Sequence, residues 1–337
     1  MERLARLFAA GAAATIMGGC STTLSGREVT PAMPAAIGAP AKTATKHLYV
    51  IVTLKQRFIA EYPMRNGIPQ SPPDRTVFGL RAPNAITLDG AGNLYVLDLK
   101  TIKEFAPGVS GHPRPTREID VPSFLNIDTL AVDGSGYVYV GQAGHVYVYA
   151  PGAHGHATPV AKFKPVGYPA GFVLDPDDNF YSLGNTQRTV GSSLQFQMHT
   201  SVYAAAPGLQ LLRKFCSEEL PQSGIDYGIA LDGRRRAFTT HTFFVGSYPQ
   251  GEIDVYPAGA DQCPMNPTVR ITTMQPPLRE PVYLAIDDSY LYVGDVFYGN
   301  GGDVFTLRTT GKVQTPLGVL DVAGNKPHDV FGIAVGP

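Results

Sequence analysis

The stretch Asn84–Asp98, NAITLDGAGNLYVLD, holds an apolar run, a turn opening on Asp89 and a second apolar run carrying Tyr95. Strand, Asp/Gly-rich turn and strand make a β-hairpin pattern. The same arrangement returns as DTLAVDGSGYVYVGQ (Asp128–Gln142), AGFVLDPDDNFYSLG (Ala170–Gly184), YGIALDGRRRAFTTH (Tyr227–His241) and VYLAIDDSYLYVGD (Val282–Asp295). The turn residues Asp89, Asp133, Asp175, Asp232 and Asp287 follow one another at 44, 42, 57 and 55 residues. A sixth copy is divided between the two ends of the chain. VFGIAVG (Val330–Gly336) matches the first strand and HLYVIV (His47–Val52) the second. Joining them lets the last strand pair beside the first and closes a ring with no free sheet edge.

A third strand recurs, ending at Tyr62, Phe105, Tyr149, Ala205, Tyr256 and, in degenerate form, near Leu307. A weaker fourth follows over Thr76–Leu80, Arg117–Val121, Val160–Lys164, Leu209–Phe215, Val269–Met274 and Leu317–Val322. Four short strands in each unit of roughly 40–50 residues are the mark of a propeller blade. The expected fold is therefore all-β: a six-bladed β-propeller of four-stranded blades over residues 47–337. Composition agrees, because 37 Gly and 29 Pro against 16% charged residues favour turns and short strands over solvated helices. A formal net charge of -1 provides no electrostatic footprint for nucleic acid.

The core Pro-x-x-apolar-x-apolar-Asp-x-x-Gly-x-apolar-Tyr-Val at Pro83–Val96 resembles that of NHL-repeat and gluconolactonase-like six-bladed propellers, and looser copies extend the resemblance over 47–337. It implies the propeller fold. It also brings metal-dependent lactonase or lyase chemistry into view, with the metal at the mouth of the central channel. The chain has no Trp, which sets it apart from the tryptophan-aspartate repeat propellers.

The first residues, MERLARLFAAGAAATIMGGC, read as an address. Arg3 and Arg6 precede a short apolar run from Leu7 to Met17, the pattern of a secretory signal, and the run is too short to span a bilayer. Met17-Gly18-Gly19-Cys20 resembles a bacterial lipobox, so residues 1–19 are expected to be a signal peptide and Cys20 a lipidated residue. Ser21–Lys46, rich in Ser, Thr, Pro and Ala, reads as a flexible tether. The expected location is the bacterial cell envelope, with membrane contact through the lipid alone. Export places Cys216 and Cys263 in an oxidising compartment, where pairing is the simple reading.

Function should sit where the repeats differ. From the second-strand aromatic to the third-strand end, Tyr95–Phe105 and Tyr139–Tyr149 span 10 residues. The corresponding spans from Tyr181, Phe238, Tyr292 and Tyr49 are longer by 14, 8, 5 and 3. These insertions fall in second-to-third-strand loops, on the face where the innermost strands begin. They carry Gln195, Phe196, Phe243, Phe244, Tyr248, Phe297 and Tyr298, and aromatics on projecting loops suit ligand contact. Strand ends bring Asn84, Asp98, Asp128, Gln142, Asp226, His241, Asp295, His328 and Asp329 to the same face. Such an oxygen-rich ring can hold a hard cation such as Ca2+, with Asn84, Asp128, Asp226 and His241 the candidate ligands, or it can simply cap strand ends.

Asp175-Pro-Asp-Asp-Asn179 resembles a calcium loop but aligns with the plain turn at Asp89, and Arg234–Arg236 occupies the same turn on the opposite face from the insertions. No complete catalytic motif, Gly-x-Ser-x-Gly elbow or P-loop occurs. The sequence thus favours a non-catalytic module that binds a protein or small-molecule ligand. The alternatives are a metal-dependent lactonase or lyase at the channel mouth and an envelope assembly subunit.

Overall fold

The computed structural model describes residues 45–53, 55–122, 129–142, 144–190, 193–217, 220–221, 227–287, 289–296, 302–322 and 329–337. Among them are strands and no helix, arranged as six sheets that are antiparallel apart from a short parallel pairing of Thr272–Thr273 with Val313–Gln314. In blade 1, Asp329–Gly336, His47–Thr53, Arg57–Arg65 and Arg75–Val77 run from inside to outside. Blade 2 follows with Pro83–Leu88, Leu94–Asp98, Thr101–Phe105 and Arg117–Asp120, and blade 3 with Thr129–Val132, Val138–Gln142, His145–Tyr149 and Ala161–Phe163. Blade 4 is Tyr168–Leu174, Phe180–Val190, Ser193–Tyr203 and Leu211–Cys216. Blade 5 is Ile229–Leu231, Ala237–Val245, Tyr248–Tyr256 and Val269–Thr273. Blade 6 is Pro281–Asp287, Tyr290–Asp295, Asp303–Arg308 and Gly318–Asp321.

The chain's two ends complete blade 1. His47 pairs with Gly336 and Val50 with Ile333. Tyr49 also donates from its hydroxyl to the Pro337 carbonyl at 3.0 Å. Each innermost strand contacts the next, and that of blade 6 meets Asp329–Gly336, so the ring closes.

The core lies between blades. Leu94 and Val96 pack toward blade 1 beside Tyr49 and Ile59, whereas Tyr95 and Leu97 of the same strand pack toward blade 3 beside Val138 and Tyr149. Successive strand residues point to opposite faces, and neighbours cover both faces. Second strands therefore read as unbroken apolar runs instead of alternating ones. An apolar cluster fills every junction between adjacent blades, including that between blades 6 and 1, where Leu48, Val50 and Tyr62 meet Tyr292 and Val304. The recurrent aromatics Tyr95, Tyr139, Tyr181, Phe238 and Tyr292 are all buried at these junctions.

Four of the five turn aspartates share one structural task, while Asp287 pairs with Lys46. Asp89 Oδ1 accepts from Ala91 N and Asn93 N at 2.9 Å each. Asp133, Asp175 and Asp232 repeat the pair of bonds between 2.8 and 3.0 Å. This is the Asx geometry that suits Asp to a tight turn. The other carboxylate oxygen accepts from Tyr95 Oη at 3.3 Å, Tyr139 Oη at 3.0 Å and Tyr181 Oη at 3.5 Å, tying turn to blade junction. The Asp175–Asn179 segment is thus a turn of the same kind. Its tip bridges both neighbours: Asp178 accepts from Gly134 N at 2.9 Å, and Asp177 pairs with Arg235 at 2.5 Å.

A second device recurs at the rim, where the connection between a blade's third and fourth strands reaches back to the preceding blade's outer strand. Phe78 N donates to Gly111 O at 2.7 Å and Gly111 N to Thr76 O at 2.8 Å. Gly155 does the same with Asp120 and Glu118 at 2.8 Å. Between blades 4 and 5 the clasp is covalent. Cys216 N donates to Gln262 O at 3.2 Å, Met265 N to Cys216 O at 2.8 Å, and Cys216 is disulfide-bonded to Cys263.

Candidate functional site

In each blade the start of the inner strand pairs with the end of the second, as Pro83 with Asp98 and Pro281 with Asp295. Strand entrances and second-to-third-strand hairpins therefore share one face. In blades 4 and 5 the insertions on it are largely strand. Phe180–Val190 pairs with Ser193–Tyr203 along its whole length, and Ala237–Val245 with Tyr248–Tyr256. In blades 4 and 5 the expected projecting loops are thus two-stranded arms, because extending a hairpin satisfies the backbone that a long loop would leave to water. The blade 5 arm carries exposed Phe244, Val245 and Tyr248 at its tip, with exposures of 52, 61 and 66%.

Behind the arms, the six inner strands surround a cavity of about 90 Å³. Among the described residues its lining includes Asn84, Thr129, Phe172, Tyr227, Tyr283 and Phe331, and no Asp, Glu, His, Lys or Arg. The channel is narrow because the inner strands approach at glycines. A Cβ at Gly171 would stand 2.5 Å from Tyr227 O, and one at Gly228 would stand 2.7 Å from Val282 O. Such a cavity admits a head group instead of a whole drug-sized ligand.

Of the polar residues expected here, two are turned to the backbone. Asp98 is buried and accepts from Arg81 N at 2.8 Å, Ala82 N at 2.7 Å and Lys103 Nζ at 2.7 Å. Asp295, at the same position of blade 6, accepts from Arg279 N at 2.6 Å and Glu280 N at 3.1 Å. Burial, aided by Asp303, pushes the Asp295 carboxyl up to about 6 against the lowering effect of those two bonds. Burial likewise raises Glu280, and Asp295 adds to that rise. In blade 5 His241 stands at that position, and Thr240 one residue before it accepts on Oγ1 from Tyr227 N and Gly228 N at 3.1 and 3.0 Å.

Gln142 is buried at the end of its strand opposite His145. His241 is buried and stacks on Phe243, ring centroids 5.9 Å apart, and neither lines the cavity. Phe196 is half-buried and pairs with Leu220. Asp329 opens the inner strand of blade 1 opposite Thr53. Its side chain, the Gln195 side chain, Cys20, Asp128, Asp226, Phe297, Tyr298 and His328 lie outside the described residues.

Asn84 lines the cavity, and its partner was not anticipated. Arg57, at the start of blade 1's third strand, donates from Nη1 to Asn84 Oδ1 at 2.8 Å. Its guanidinium carbon stands 4.3 Å from the centroid of Phe331, another lining residue. Lone Arg57 gave no motif in the sequence, since its partners lie in two other strands. Among the described residues, His199, Cys216 and Cys263 come within 4.8 Å of one another, but the disulfide occupies both sulfurs.

No family model matches this chain, and no curated protein sequence does. Solved structures share its fold at low identity. A Lactobacillus plantarum protein aligns with a TM-score of 0.54 at 14% identity, over 87% of this chain and 99% of that one. The periplasmic gluconolactonase of Pseudomonas aeruginosa aligns with a TM-score of 0.52 at 12% identity, over 85% of this chain and 99% of that one. At such identities the likeness is one of fold.

Proposed function

We propose that this protein is an exported, lipid-anchored propeller that binds a small-molecule ligand or protein partner through the face carrying the inserted arms. One observation carries the reading. At two strand ends on that face the carboxylates, Asp98 and Asp295, are spent on capping backbone amides, while the blade 5 arm holds Phe244, Val245 and Tyr248 out in solvent. Fixed polar groups facing inward and apolar groups facing outward suit recognition better than bond cleavage. The Cys216–Cys263 disulfide is in keeping with an oxidising compartment.

Metal-dependent lactone hydrolysis is the alternative, and the likeness of fold to a gluconolactonase keeps it in view. Of the four candidate ligands, the two described fit a cation poorly. Asn84 Oδ1 faces the Arg57 guanidinium, whose charge would repel a metal ion there, and His241 stacks away from the cavity. The test places a photo-crosslinking amino acid at Tyr248 in the intact envelope, with Arg234 on the opposite face as control. Discrete adducts are expected from Tyr248 alone. Chelator-sensitive hydrolysis of lactones by the purified chain would replace this reading with the alternative.

A further inference from the structure

Five arginines of this ring are matched to carboxylates. Arg75 pairs with Glu61, Arg117 with Glu104, Arg235 with Asp177, Arg236 with Asp232, and Arg270 with Glu252 and Asp254. Arg57 is not. Its contacts among the described residues are the neutral Asn84 oxygen and the Phe331 ring, and no described carboxylate lies within ion-pair distance. It is half-buried, so its charge is partly stripped of water without an opposite charge to compensate. A guanidinium offers five N–H donors, and one of these is bonded to Asn84. Asn84 from the side and Phe331 from below fix the fork in place. Both holding residues line the channel cavity, so the cation stands at its mouth on the face of the arms.

We propose that Arg57 anchors an anion subsite that takes the carboxylate of a small acid. This deepens the binding reading above and rests on it. A single guanidinium fork matches a carboxylate edge to edge, bearing one charge and two oxygens. A phosphate dianion would call for more positive charge, and among the described residues no Lys, Arg or His lines the cavity beside the Arg57 at its mouth. The cavity, about 90 Å³, has room for an acid's head, with the body resting at the mouth among Tyr227, Tyr283 and Phe331.

The test is calorimetric titration of the chain lacking residues 1–20 with acetate, benzoate and glucuronate at constant ionic strength. Benzyl alcohol and glucose serve as uncharged counterparts and inorganic phosphate as a second anion. At least one acid is expected to bind, its counterpart not, and phosphate more weakly. Arg57→Gln should weaken the acid about tenfold or more with the melting temperature retained. Arg57→Lys, which keeps the charge but loses the fork, should restore part of the affinity and guards against misfolding of the first variant. Failure of all three acids to bind at about 10 mM, or equal binding by Arg57→Gln, by the uncharged counterparts or by phosphate, would overturn the subsite. Adducts from Tyr248 without acid binding would leave the arm face standing and overturn the subsite alone. Arg57-dependent acid binding without adducts would uphold the subsite and overturn the arm face.

Discussion

On one face of the ring, four hairpins turn on the same device. Asp89, Asp133, Asp175 and Asp232 each receive the backbone N–H groups two and four residues on. On the other face the blades end differently: in Asp98 with Lys103 beside it, in buried Gln142, in Thr240 and His241 leading into a long arm, and in Asp295 facing other acids. The contrast shows where the chain was free to vary. A tight turn narrows the choice to residues that can bond their own backbone. A strand entrance only has to satisfy one or two amides, and Asp or Thr does this equally well, leaving the rest of that face open to other uses.

The contrast presupposes a closed ring, so the largest expected effect comes from opening it. Deleting Val330–Pro337 removes the innermost strand of blade 1, with Val330, Ile333 and Ala334 buried. The truncated chain should lose its cooperative melting transition, read by circular dichroism. An unchanged melt would break the two-face scheme altogether.

Asp295→Asn sharpens the comparison at the variable face. Its carboxyl titrates near 6 when folded, above its usual 3.8. The native state therefore holds the extra proton between those values, and stability falls as pH rises through that window. The cost is fully present above about 6 and amounts to at most about 3 kcal/mol. Denaturant melts at several pH values should show this slope in the native chain and its loss in the variant. A slope that persists undiminished would assign the titration to another buried acid, such as Glu280.

Asp133→Ala addresses the repeated face. It strips acceptors from Ser135 N, Tyr137 N and the buried Tyr139 hydroxyl, and should cost about 2 kcal/mol. A change below about 0.5 kcal/mol would mean that the turn forms without the device.

The smallest effect on stability is expected at the arm tip. Phe244→Ser with Tyr248→Ser should move stability by less than about 0.5 kcal/mol, because both side chains stand in solvent. Phe244→Ser alone, with the crosslinking amino acid kept at position 248, should abolish the partner adducts. A destabilised double variant would make the tip a structural element instead.

The blade count, the division of one blade between the chain's ends and the structural duty of the turn aspartates could all be read from residue order. Each depends on pairing between neighbouring strands, and such pairing leaves a period in the sequence. The apolar second strands were equally readable, since both faces of each blade are buried. Other features left no such trace. Apart from the Cys216–Cys263 disulfide, the rim clasps join segments of adjacent blades through backbone atoms, which no side chain announces. The insertions of blades 4 and 5 looked like loops by length alone, and only cross-strand register made them arms. Asp98 and Asp295 looked like ligands by type, yet their neighbours in space turned them to the backbone. Arg57 meets Asn84 from the next blade and Phe331 from the far end of the chain. Local periodicity thus determined the ring, whereas only closure of that ring decided which polar groups are spent on the fold and which charge is left at its mouth.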